Sequence, residues 1–304
     1  MSTRDRGLAA LVALLWGLNF LAVRIGLDHF PPFFLAALRY LLLAVPVILF
    51  VPRPKVPLRW LLAYGLGFGA LQFGLLFLAI DVGMPTGLSS VVLQAAAPFT
   101  VLLGMLLLSE RVSGKQIGGV VVAILGLVVI AVDRAQVAAL LPLILTLLAA
   151  LACALGMLAG RLAKPDSPLR FTLWMAVVPP IPLLALSAVM EGPSAGWIAL
   201  GKSLSLEGLP GLAAMAYIVV LGTVVGSGIW TALLKRYPAS IVAPFTMLTP
   251  VVGIGAAWIA LNETPSALAL LGSTVVIGGV LLGTPPRPAD VRSPADSETA
   301  GKSS

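Results

Sequence analysis

Asn19, Gln72 and Gln94 are amides that stand deep inside long apolar runs of this sequence. An amide donates through its NH2 group and accepts through its carbonyl, so three at one depth suit a zwitterion or a neutral polar solute. Thr249 and Pro250 stand equally deep in another run, and Trp16, Phe20, Phe73, Phe77 and Trp230 offer apolar walls. The competing account is that the amides tie helices together, as polar groups in lipid commonly do. For any one amide alone that account is the simpler; for three at a common depth a binding cavity is favoured.

Other chemistry is hard to assemble. The single histidine, His29, and the single cysteine, Cys153, provide no nucleophile–base pair and no disulfide within the chain. No HExxH or GxSxG motif occurs, so an enzyme is not expected, nor a metal or cofactor. Asp28, Asp81, Glu110, Asp133, Asp166, Glu191, Glu207 and Glu263 all fall at the ends of apolar runs or between them. Cation exporters and proton pumps usually need an embedded carboxylate or histidine, and none is placed that way here. Gly65-Leu-Gly-Phe-Gly69 and Gly222-Thr-Val-Val-Gly226 lack the order and the preceding strand of a phosphate loop and read as close-packing segments.

Arg39 is the one charge set well inside an apolar run, away from its ends. A cation at the centre of a membrane helix costs at least ~2.5–3.5 kcal/mol, so it must face protein or water. It either meets a substrate carboxylate or binds carbonyls at a helix break; the structural role is the expectation. Pro98, Pro244 and Pro250 each remove a backbone hydrogen bond from their runs, which makes Pro98 and Pro250 candidate hinges or fixed kinks.

The elements that hold these residues follow from composition. Of 304 residues, 59% are hydrophobic and only 10% charged, with a mean hydropathy of +1.06. Soluble domains carry roughly a quarter charged residues, so lipid must be the solvent. Runs of about 20 apolar residues cross a bilayer as helices. Such runs occupy 7–27, 31–51, 58–80, 86–107, 115–132, 139–161, 168–190, 209–234, 239–260 and 266–283, separated by breaks such as Val51-Pro-Arg-Pro-Lys55 and Asp133-Arg134. They are too long for barrel strands. The first run reads as a retained span rather than a signal, because it is longer than the apolar core of a usual signal, ends in Ala22-Val23-Arg24 and is followed by nine more spans. The tail from Thr284, residues 284–304, reads as disordered.

The net charge of +7 orients the chain and does not call for nucleic acid. With the N-terminus inside, fifteen Lys and Arg residues fall on the cytoplasmic side, three (Arg24, Arg134 and Lys202) fall outside, and Arg39 lies within a span. That is the positive-inside bias, and it places both termini in the cytoplasm.

The sequence also repeats. At an offset of 153, Tyr64 falls on Tyr217, Gly69 on Gly222, Pro85 on Pro238, Glu110 on Glu263, Gly119 on Gly272 and Gly126 on Gly279. Earlier, Ala22 and Arg24 match Ala159 and Arg161 at 137. Residues 7–132 and 139–283 thus form two halves of five spans. An odd number of spans inverts the second half against the first, with the substrate site expected where they meet. The fold expected is an all-α polytopic membrane protein of ten helices in two inverted repeats.

These pieces resemble the ten-helix drug/metabolite transporters with two EamA-type repeats. The resemblance rests on Trp16-Gly-Leu-Asn-Phe20, Arg39 after Ala36-Ala-Leu38, Pro98 leading to Glu110-Arg111, then Gly119 and Gly126, with Pro250, Glu263, Gly272 and Gly279 in the second half. Arg53-Pro-Lys-Val-Pro-Leu58, Gly83-Met-Pro85, Val92-Leu-Gln-Ala95, Gly228-Ile-Trp230 and Val242-Ala-Pro244 are similar to the branch that exports O-acetylserine and cysteine. The resemblance implies a central cavity lined by spans 1, 3, 4, 6, 8 and 9, and hence an amino-acid-like substrate at Asn19, Gln72, Gln94, Trp16, Phe73, Trp230 and Thr249. Arg39, on span 2, falls outside that set. It implies a monomer in the bacterial inner membrane working by alternating access. Exporters of aromatic amino acids or of hydrophobic or cationic drugs are the alternative, and a channel is disfavoured because no filter or charged ring is visible.

Overall fold

The computed structural model describes residues 1–110, 112–136 and 140–283. The tail expected to be disordered lies outside the described residues, as do Arg111 and the charges of the tail. Among the described residues every regular element is helical. Nine helices among the described residues are long and apolar enough to cross a membrane: Thr3–Leu27, Pro32–Phe50, Leu58–Asp81, Thr86–Leu108, Gly114–Asp133, Leu140–Leu162, Pro168–Met190, Leu206–Arg236 and Pro244–Leu261. The tenth, Ala267–Gly283, has 17 residues, or about 26 Å of helix at 1.5 Å per residue. These are numbered below as the first to tenth helices.

Each expected span contains a helix, with three local differences. The fifth helix continues through Asp133-Arg134 to Gln136. The seventh is broken at 176–179, where Pro179 and Pro180 follow one another. A short helix, Ala195–Ser203, occupies the stretch read as a loop before the eighth helix. Many large apolar side chains face outward, including Ile48, Leu106, Ile181, Val189 and Ile259. Water does not accommodate so continuous an apolar exterior, and lipid does. The protein is a multi-pass membrane protein.

Glycines set the closest approaches, which in lipid are a main source of helix association. A Cβ on Gly119 would come within 2.6 Å of the Gly279 carbonyl, and one on Gly126 within 2.8 Å of the Gly272 carbonyl. The fifth and tenth helices therefore meet backbone to backbone. Gly67 of the third helix and Gly156 of the sixth meet in the same way.

The ends of the helices are tied at two faces. At the face where the first helix begins, Tyr237 donates its hydroxyl to Asp5 (2.7 Å) and Arg236 lies 3.5 Å from the same carboxylate. Beneath them Ala9, Leu233 and Val242 form an apolar plug with Leu8, Trp230 and Phe245. Arg161 pairs with Glu110 at that face. At the opposite face the second helix opens on Pro31-Pro32, which offers no side-chain cap. Glu191 supplies one, accepting from the amides of Phe33 (2.5 Å) and Phe34 (3.1 Å). There too Ser266 donates to Asp133 (2.6 Å) and Gly87 N–H to Glu263 (3.3 Å). The amides of a helix N-terminus need such acceptors, because the first turn has no intrahelical ones.

Two pairs of irregular segments recur. The third helix contains a π-helical stretch, Gly65–Leu71, and the eighth contains another, Tyr217–Val225. The fourth has a 3-10 turn at Leu93–Ala95 and the ninth begins from one at Ala243–Met247.

Candidate functional site

The first and eighth helices face one another around Gly222. The indole of Trp16 donates to the Gly222 carbonyl at 3.0 Å, and its ring lies 5.4 Å from that of Trp230, tilted by 52°. The Asn19 side chain fills the space beside the Gly222 Cα, where a methyl group would collide with its Oδ1. A π-helix bonds each amide to the carbonyl five residues back and so widens the turn. That widening and the absent side chain at Gly222 together admit Trp16 and Asn19. The Asn19 Oδ1 is buried and has no hydrogen-bond partner.

Arg39 reaches the next residue of the same stretch. Its Nη2 donates to Thr223 Oγ1 at 3.0 Å, and Thr223 in turn donates to the Ile218 carbonyl at 2.7 Å, five residues back along the π-helix. The guanidinium carbon sits 4.0 Å from the centre of the Phe73 ring and 5.4 Å from that of Tyr40. Arg39 is only 6% exposed, yet its Nε and Nη1 have no partner. The second, third and eighth helices thus converge on one cation.

The remaining expected residues are distributed more widely. Gln72 directly follows the π-helical stretch of the third helix and is buried, with its Oε1 unpartnered. Gln94 lies in the 3-10 turn of the fourth helix and donates to the Met247 sulfur at 3.4 Å, across to the ninth. A thioether is a weak acceptor, so that amide keeps most of its capacity. Pro98 stands four residues after Gln94, at the position whose missing N–H would have bonded the Gln94 carbonyl in a regular helix. Thr249 is buried in the ninth helix with its Oγ1 unpartnered, its carbonyl against Gly17 of the first helix, and Pro250 follows it. Phe20 and Phe77 do not line open space; both belong to the main apolar core with Phe34, Tyr40, Leu183 and Ile218. Of the expected walls, Trp16, Phe73 and Trp230 are half-buried.

Three contributors were missed from sequence: Thr223, Tyr217 and Met247. Tyr217 donates its hydroxyl to the Leu15 carbonyl at 3.1 Å and fixes the first helix against the eighth. Its match to Tyr64 in the repeat was the available signal. Thr223 lies within the glycine-spaced segment read as packing alone, and Met247 carries no polar signal.

A pocket of about 260 Å³ opens at the far face, lined by Gly87, Glu263, Thr264, Ser266 and Ser273 among others. None of the expected binding residues borders it. Among the described residues no three His, Cys, Asp or Glu side chains converge as metal ligands would. What these residues offer is hydrogen bonding, a cation and aromatic surface.

The model of the EamA-like transporter family matches residues 7–132 and again 140–284. A protein of Salmonella typhimurium described as a probable amino-acid metabolite efflux pump is 41% identical over 93% of this chain and 95% of its own length. A probable terminal-alkyne amino-acid exporter of Streptantibioticus cattleyicolor is 27% identical over 90% of both. A solved crystal structure superposes with a TM-score of 0.59 at 19% identity, covering 93% of this chain and 98% of that one, which speaks for the fold alone.

Proposed function

This chain belongs to the EamA-like transporter family, and on that premise we propose that it exports small amino acids or their metabolites, cysteine and O-acetylserine among them, from the bacterial cytoplasm by alternating access. The observation that carries this reading is the pair of buried, unpartnered amide oxygens, Asn19 Oδ1 and Gln72 Oε1. Amides that serve as helix glue have partners, because an unmet polar group at depth costs more than the bond it forgoes. These two are left for a solute. Gln94 and Thr249 extend the same site, and Trp16, Phe73 and Trp230 wall it. Pro98 and Pro250 let their helices bend between inward and outward states. Arg39 acts structurally through Nη2, tying the second helix to the eighth.

The architecture proposed is two inverted repeats, 7–132 and 139–283, in a monomer with both termini cytoplasmic. Several features support it. The residues that end the fourth and ninth helices, Ser109 and Asn262, both adopt left-handed backbone, with φ of 53° and 54°. After each, a glutamate amide closes onto a carbonyl six residues back: Glu110 onto Gly104 and Glu263 onto Ala257, all four at the 153 offset. The π-helical stretches correspond likewise. Gly119 meets Gly279 while Gly126 meets Gly272, so each glycine touches the repeat counterpart of the other. Such exchanged contacts on antiparallel helices fit a twofold axis in the membrane plane.

A second reading, export of aromatic amino acids, is favoured by the Trp16–Trp230 pair. One assay separates them: efflux of radiolabelled cysteine, O-acetylserine, threonine and phenylalanine from loaded proteoliposomes, with and without a pH gradient. Movement of the first three with phenylalanine retained supports the main reading. Phenylalanine alone selects the second, and retention of all four rejects both.

A further inference from the structure

Arg39 brings a full positive charge into the protein, and among the described residues no carboxylate is paired with it. One of its nitrogens is used, by Thr223, and two are not. Phe73 covers a face of the guanidinium, but the N–H bonds lie in the plane and point past the ring. A buried guanidinium with idle donors is costly unless an anion completes it.

Two unmet groups on the first and third helices are of the opposite kind. Asn19 Oδ1 and Gln72 Oε1 are acceptors without donors. Asn19 abuts Gly222, whose neighbour Thr223 holds Arg39; Gln72 adjoins Phe73, which stacks on Arg39. All three residues share a depth. Asn19 is eight residues from the helix end at Leu27, Arg39 seven from Pro32, and Gln72 nine from Asp81, and these ends lie at the same face. At 1.5 Å per residue they differ in depth by only about 3 Å.

We propose that these groups form a zwitterion site: the idle N–H groups of Arg39 take the carboxylate of an α-amino acid, and the oxygens of Asn19 and Gln72 take its ammonium. The inference rests on the amino-acid export reading and adds which groups take each charged end of such a solute. Donors meet the acceptor-only carboxylate and acceptors meet the donor-only ammonium. Arg39 thereby holds two roles at once, a helix tie through Nη2 and a ligand through Nε and Nη1.

The test is competition in wild-type proteoliposomes. Radiolabelled cysteine and threonine are each challenged with their own carboxamide, which keeps the ammonium and loses the carboxylate, and with their own deaminated acid. Each analogue is expected to compete at least tenfold less well than the parent amino acid. In Arg39→Gln the preference for acid over carboxamide should collapse to under threefold. Should that variant fail to reach the membrane, Arg39→Lys is the second arm. It keeps the charge and loses the planar fork, so an acid–carboxamide preference reduced below the wild-type value is expected. Carboxamides that compete as well as the parent in the wild type overturn the zwitterion site while leaving amino-acid export standing. Absence of flux for either tracer overturns that reading and this one together. A wild-type preference retained in the Arg39 variant that reaches the membrane assigns Arg39 to structure alone and overturns the site.

Discussion

The two π-helical stretches are alike in backbone and unlike in surroundings. In the third helix, Gly65 abuts Val178, Gly67 abuts Gly156, and Gly69 abuts Pro179 and Met175. That stretch is shut against the sixth and seventh helices. In the eighth helix, Gly222 receives Asn19 and Trp16, Thr223 receives Arg39, and Gly226 lies against the Trp16 indole nitrogen. One widened turn is filled with apolar contact; the other presents polar groups to the centre. The same backbone device meets apolar groups in one helix and polar side chains in the other, and the side chains of neighbouring helices make the difference.

The largest expected effects are on the amides beside these stretches. Asn19 fills the open stretch and Gln72 follows the closed one, while Gln94 stands apart on the fourth helix. Replacing an amide by leucine leaves solute polar groups unpaired, at about 1–3 kcal/mol per lost partner, or roughly tenfold to a hundredfold in affinity. Asn19→Leu, Gln72→Leu and Gln94→Leu should each cut efflux by that factor while the protein stays monodisperse in detergent. If two of the three export at the wild-type rate, the residues are helix glue and the contrast between the stretches is one of packing alone.

The paired glycines sharpen the comparison, with effects of about tenfold. A methyl group at Gly69 meets the ring of Pro179, which cannot rotate away, whereas one at Gly222 meets the amide end of Asn19, which can. Gly69→Ala should therefore overpack the seventh helix and cost about 1–3 kcal/mol of stability, read as a lower thermal midpoint and a reduced membrane level. Gly222→Ala should keep its level and lose about tenfold in efflux, since Asn19 is displaced by a fraction of its reach. Equal behaviour of the two variants in both measurements would erase the proposed division of labour.

Much of this was legible in the sequence, and the gaps have physical reasons. The spans followed from runs of apolar residues, because lipid leaves the composition little latitude. Tyr, Pro and Glu recurring at one offset agree with the family model's matching the chain twice, at 7–132 and 140–284. The π-helical stretches were not legible: their glycines specify close approach, but an extra residue in a turn leaves no period of its own over a single turn. The Glu191 cap on the second helix was hidden because it spans 157 and 158 residues of sequence. Ala195–Ser203 read as a loop because nine residues fall short of a span. At the proposed site, depth alone singled out the amides and Arg39, whereas Thr223 was invisible, since only the fold brings a lone threonine to a guanidinium. Phe20 and Phe77 were misplaced as walls because an aromatic residue near a polar one in sequence turns to either face of its helix.

The smallest effects concern the repeat-related glutamates, whose turns are the same and whose partners are not. Glu110 pairs with Arg161 at 2.6 Å, with the side chains 40% and 51% exposed. A pair so open to solvent contributes about 0.2–1 kcal/mol and is screened by salt. Glu263 instead accepts the Gly87 amide in the first turn of the fourth helix, whose N-cap, Pro85, has no side-chain acceptor. There the charge also meets the helix dipole, worth about 0.3–1 kcal/mol and up to ~2 when partly buried. Glu110→Gln should then lower the thermal midpoint by no more than about 3 °C, and 0.5 M salt should abolish the difference from wild type. Glu263→Gln keeps an acceptor and loses the charge, so it should cost somewhat more and persist in salt, because a partly buried contact is screened less. A larger or salt-resistant loss in Glu110→Gln would show that the two ends of the repeat are held by the same kind of force after all.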